Sequence, residues 1–114
     1  MVNGKQKGKK GELEVAKIFK DNGFKNTRRS QQYSGDKKEG DPDIKGVDGL
    51  HIEVKRREKL NIENAIKQVK KDKKDDDIGI IVHRKNREDY KVTLSVDDFF
   101  KIFKEYNKNT RVGD

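Results

Sequence analysis

The chain contains no cysteine, which excludes disulfides, thiolate metal sites and a cysteine nucleophile. It also lacks any run of about 18 apolar residues, so no membrane-spanning segment is expected. Its opening, MVNGKQKGKKG, is basic with no apolar run behind it, and does not read as a secretory signal. Apolar residues are scarce, at 29% of 114 residues against 44% charged, a balance that leans towards disorder. Those apolar residues nevertheless fall in compact periodic groups at 13–19, 44–54, 78–82 and 92–103. Such grouping argues for a folded chain with a thin core and a large solvated surface. With no internal repeat and no linker, the expectation is a single domain over 11–106. A basic flexible arm or frayed helix start at 1–10 and a loose polar tail at 107–114 would flank it. A core this thin leaves room for a partner subunit or nucleic acid to add stability.

Positive charge is what the chain has in excess. Lys and Arg number 29 against 21 Asp and Glu, for a net charge of +8. Such a surplus favours a polyanion, and phosphate backbones are the commonest one.

The periodicity places the elements. Leu13, Ala16 and Phe19, supported by Val15 and Ile18, predict a helix from Glu12 to about Asp21, stopped by Asn22-Gly23. Residues 24–29 read as a short edge strand and 30–40 as a polar loop. Strands are predicted from Asp43 to Val47 and from Leu50 to Arg56. Asp48-Gly49 between them is a hairpin signal, since both positions tolerate positive φ. Asn61 caps a helix to about Lys73 with Ile62, Ala65, Ile66 and Val69 as its buried stripe. Ile78 to Val82 reads as a central strand and Tyr90 to Leu94 as another. Ser95 or Asp97 opens a last helix through Tyr106, whose Phe99, Phe100, Phe103 and Tyr106 are expected to close the core over the sheet. The fold class is α/β or α+β, a mixed sheet with helices packed on it.

The residues that carry chemistry sit on the predicted hairpin. It brings Asp43, in Gly40-Asp41-Pro42-Asp43, towards Glu53, while Glu53 and Lys55 leave the same strand face together with His51. Two converging carboxylates are costly without a cation, and a hard divalent ion such as Mg²⁺ takes such oxygens, with the Val54 carbonyl as a third protein ligand. Lys55 would then orient a water or offset charge on the phosphate. A solvated cross-strand ion pair at Glu53-Val54-Lys55 and a plain turn at 40–43 remain open on these residues alone. Asp41 competes with Asp43 as the ligand; Asp43 is preferred because it follows the proline and starts the strand. His51 and His83 are not placed to make a zinc site.

From about Lys7 to Phe103 the chain resembles the PD-(D/E)xK nuclease superfamily, in particular its Holliday junction resolvase and phage resolvase-like members. The resemblance is carried by Lys7-Gly8-Lys9-Lys10-Gly11-Glu12, by Gly40-Asp41-Pro42-Asp43 and by Glu53-Val54-Lys55. It extends through Lys55-Arg56-Arg57-Glu58-Lys59-Leu60-Asn61, a helix with Gln68, and the turn His83-Arg84-Lys85-Asn86-Arg87. It implies a restriction-endonuclease-like core, dependence on Mg²⁺ (with Mn²⁺ as a substitute) and phosphodiester hydrolysis, often by a homodimer. It also implies roles: Glu12, Asp43, Glu53, Lys55 and Gln68 as catalytic residues, with Asp43 and Glu53 as direct metal ligands.

Basic residues around this constellation suit a DNA backbone. Lys5, Lys7, Lys9 and Lys10 lead into the first helix, and Arg28 and Arg29 precede the loop bearing Tyr33. Arg56 and Arg57 follow Lys55, and Arg84 and Arg87 lie in the later turn. These would clamp phosphates and position the duplex rather than read bases. Three functions compete: a junction-selective endonuclease, a nicking or restriction-type nuclease of the same fold, and a noncatalytic basic DNA-binding protein. With no export signal and a DNA substrate expected, the cytoplasm is the expected location.

Overall fold

A computed structural model describes residues 4–30 and 38–110, with side chains from residue 8 onwards. Among the described residues, three helices flank a five-stranded sheet. In chain order the elements are α1 (Gly4–Asp21), β1 (Arg28–Arg29), β2 (Ile44–Lys45), β3 (Leu50–Arg56), α2 (Ile62–Asp72), β4 (Ile78–Arg84), β5 (Lys91–Thr93) and α3 (Val96–Thr110). The strands lie in the order β1-β2-β3-β4-β5. Only β3 and β4 are parallel; the other neighbours are antiparallel. A parallel pair needs a crossover, and α2 supplies it. The fold is therefore α/β with a mixed sheet, as the periodicity predicted.

Alternation along the two central strands divides the core between the sheet faces. Ile52 and Val54 of β3 and Ile80 and Val82 of β4 pack with Val15 and Ala16 of α1 on one face. Ile81 points the other way and packs with Ala65 and Val69 of α2. At Gly79 the approach of α2 is so close that a Cβ would stand 2.2 Å from Val69 Cγ1. Asn61 caps α2 as expected, its side chain accepting from the Asn64 N–H at 3.0 Å. Of the two candidates for opening α3, Ser95 is the cap: its Oγ accepts the Asp98 N–H at 3.1 Å.

Several boundaries differ from the expectation. Of the two readings for 1–10, an arm or a helix start, the described part is helical from Gly4, since lysine and glutamine propagate a helix well without any buried stripe. At its far end α1 stops where predicted: the Gly23 N–H reaches Lys20 O, the Phe24 N–H reaches Phe19 O, and the two rings meet edge to face. Residues 24–27 form a turn instead of a strand, because Thr27 spends both its N–H and its hydroxyl on Phe24 O. The tail expected to be loose from 107 is helical to Thr110. In the β2–β3 turn Gly49 takes positive φ and Asp48 does not, while the Leu50 N–H closes on Val47 O. The hairpin stands with a different turn from the one its dipeptide suggested. Among the described residues, no helix is long and apolar enough to cross a membrane.

Candidate active site

The hairpin register decides where the acidic residues meet. Ile44 pairs with Ile52, and the Asp43 N–H donates to Ile52 O at 2.9 Å. That sets the buried Asp43 side chain against the next residues of β3, where its Oδ2 accepts the Val54 N–H at 2.9 Å. The Ser30 N–H donates to Asp43 O and the Ser30 hydroxyl donates to Pro42 O, tying the start of β2 to the end of β1. It is the N–H of Val54, the residue expected to offer a carbonyl, that faces Asp43 here.

Glu53 leaves β3 beside this carboxylate. Burial pushes its carboxyl above the ordinary value of 4.5, the charge and contact of Asp43 push further, and His51 opposes both. His51 Nε2 lies 3.0 Å from Glu53 Oε1, and both side chains are largely buried. His51 belongs to the site by contact, although the sequence assigns it no role beyond sharing a strand face with Glu53 and Lys55. The available signal was its place two residues before Glu53 on the same face. His83 is half-buried and bonded to Thr93 Oγ1 at 2.8 Å; burial and then the Lys91 charge hold its pKa below the usual value.

Glu53 and Lys55 open into a cleft of about 290 Å³, whose far wall is α2 with Gln68 and Asn64, and whose rim carries Arg57. Three of the five expected catalytic residues, Glu53, Lys55 and Gln68, thus line one cleft. Gln68 donates to Asp72 Oδ2 at 2.8 Å within its helix. Lys55 has no ion-pair partner among the described residues. Glu12 is held elsewhere: it binds Arg29 Nε at 2.9 Å with both groups mostly buried, and it is absent from the cleft wall. Asp41, the rival of Asp43, accepts the Lys38 N–H at 3.0 Å and lies 3.7 Å from Lys45. The Lys38 bond above all keeps its pKa low.

The expected phosphate contacts separate into two groups. Arg57 and Arg87 are exposed, as are Lys9, Lys10 and Arg28, the last donating to Asn26 O at 3.2 Å. Arg29 and Arg56 are not free clamps. Arg29 is engaged by Glu12. Arg56 follows Lys55 by one residue, so strand alternation turns it under α1, where its Nε lies 3.6 Å from Glu14. Arg84 sits over the Tyr90 ring, 5.4 Å from its centroid. The Tyr90 hydroxyl donates to Glu14 at 2.7 Å; burial first, and then this carboxylate, drive its pKa up. The side chains of Lys5 and Lys7, and the whole of Tyr33, lie outside the described residues.

No group of three or more His, Asp or Glu side chains able to hold a metal occurs among the described residues. The donor set fits a divalent cation in a narrower sense. Two hard carboxylates converge, and the protonation of one is already favoured by the other. Mg²⁺ commonly binds through one or two carboxylates and completes its shell with water and substrate phosphate. Compared with known proteins, the chain matches no family model, no curated protein and no solved structure.

Proposed function

We propose that the chain is a divalent-metal-dependent endonuclease of the PD-(D/E)xK type, acting on branched DNA such as a four-way junction. The observation that carries the reading is the contact of the buried Asp43 with Glu53, which itself opens with Lys55 into one cleft. Mg²⁺ or Mn²⁺, held by Asp43 and Glu53, would supply a Lewis acid for the phosphate and lower the pKa of a water. The protein's own contributions are distinct. The Val54 N–H fixes one oxygen of Asp43. His51 fixes one oxygen of Glu53. Lys55, with no carboxylate partner among the described residues, is available to orient the attacking water or to offset charge growing on the phosphate oxygens. Arg57 at the rim and the exposed lysines of α1 would hold the backbone on either side of the cut.

The net charge of +8 supports a nucleic-acid substrate. The preference for branched DNA, and with it a role in recombination or repair inside the cell, rests on the resemblance to junction resolvases. Paired nicks across a junction require two such sites, hence two copies of the chain.

The test is cleavage of a labelled four-way junction beside a linear duplex, in Mg²⁺ and in EDTA, by wild type and Glu53→Gln. Paired nicks in the junction that need Mg²⁺, and that vanish in the variant while binding persists, are the expected result. Cutting of every duplex would keep the nuclease and discard the junction. Tight binding without cutting in Mg²⁺ or Mn²⁺ would sink the enzymatic reading in favour of a DNA-binding protein.

A further inference from the structure

A surface helix ordinarily turns its apolar stripe to its own core and its charges to water. Helix α3 does the reverse. The side chain it buries is a carboxylate, Asp98, at 3% exposure. Asp98 Oδ2 accepts the Gly79 N–H at 2.9 Å, and its other oxygen lies 3.4 Å from Lys101. The apolar residues of the helix stay in solvent: Val96 70%, Phe99 45%, Phe100 45%, Ile102 43%, Phe103 42% and Tyr106 55% exposed. Val96, Phe99, Phe100, Phe103 and Tyr106 follow the spacing of one helical face. Their rings already touch one another in a ladder, Phe99 stacked on Phe103 at 5.7 Å and Phe103 against Tyr106 at 5.9 Å.

We infer that this face is where a second copy of the chain docks, with the two α3 helices antiparallel across a two-fold axis. Two properties favour a second copy over another occupant. The first is area. A buried aromatic side chain removes roughly 150–250 Å² from water, so at these exposures the four rings leave roughly 400 Å² open per chain. A symmetric pair doubles this, and Val96 brings it to roughly 1,000 Å², where stable interfaces begin. The second is charge. The first turn of α3 is acidic, with Asp97, and its last turn basic, with Lys108. Antiparallel pairing sets each acidic end beside the basic end of the other copy and opposes the helix dipoles, whereas parallel pairing sets like ends together. The inference does not depend on the nuclease reading, and its test measures mass and proximity, not cleavage.

The experiment is sedimentation equilibrium across the micromolar range for wild type and for Phe99→Glu with Phe103→Glu. Circular dichroism checks the fold; both residues are exposed in the single chain, so helix content should hold. A wild-type mass twice that of the chain is expected, with the double variant's dissociation constant raised at least about tenfold. The absence of native cysteine permits a second measurement. Phe103→Cys, near the middle of α3, should cross-link to its own copy on oxidation, and Val96→Cys, at one end, should not. A monomeric wild type, or a dimer indifferent to the double variant, overturns the inference and leaves the face to a different protein. Cross-linking through Val96→Cys rather than Phe103→Cys overturns the antiparallel arrangement.

Discussion

Two residues of the cleft separate charge from geometry. Glu53 is held protonated more readily than an ordinary glutamate by burial and by Asp43. With a raised native pKa, its contribution to stability is present below about pH 4.5, the ordinary value, and is lost as pH rises through the raised one. Glu53→Gln should therefore flatten the decline of Tm on the neutral side, read as the wild-type minus variant difference over a pH series. A divalent cation competing with that proton should raise the wild-type Tm at neutral pH and not at pH 4, and should leave the variant unmoved. Equal shifts in both proteins would remove Glu53 from the metal site. Lys55→Ala should lower cleavage by about 10²-fold or more while the cation-induced Tm shift persists, since its proposed role falls on the phosphate. Loss of that shift as well would assign Lys55 to holding the site together.

Among the elements, α2 and α3 meet the sheet at Gly79 from two directions. Gly79→Ala drives a Cβ into Val69, and the helix must move back; a loss of about 1–3 kcal/mol in urea denaturation is expected. Asp98→Ala leaves the Gly79 N–H without its acceptor and should cost about 1–3 kcal/mol, with Asp98→Asn recovering part of it through the remaining oxygen. A neutral Asp98→Ala would mean that the first turn of α3 is not anchored by this bond. The elements also account for what was legible beforehand. Capping and periodicity are local, so the bounds of α2 and the end of α1 were readable from Asn61 and Asn22-Gly23. The destinations of Arg29 and Arg56 were not, because Glu12 and Glu14 reach them only after α1 has packed.

For the molecule as a whole, charge and symmetry are the quantities to measure. If the exposed cations serve phosphates, the affinity for duplex should fall steeply with salt. Arg57→Ala should reduce that slope by about 1, and Arg56→Ala should not, because the Arg56 guanidinium is turned under α1. Equal effects of the two would contradict the separation into rim and interior arginines. The dimer inferred from α3 would present two clefts on one particle, the arrangement that symmetrical cutting requires.

The sequence by itself determined most of what depends on neighbours along the chain, the turns at 24–27 and 47–50 excepted. It carried the alternation that sends Glu53 and Lys55 to one face, the hairpin that returns Asp43 to Glu53, and the helical stripe of α2. Tertiary structure alone decided which face each element would cover. A stripe such as Phe99, Phe100, Phe103 and Tyr106 looks the same in sequence whether it closes a core or awaits a partner. Only the path of the chain after β5, and the bond from Gly79 to Asp98, turns it outward. The same holds for the cleft. Its lysine and glutamate come from one strand, but its opposite wall comes from a helix whose place over that strand is set by the parallel crossover.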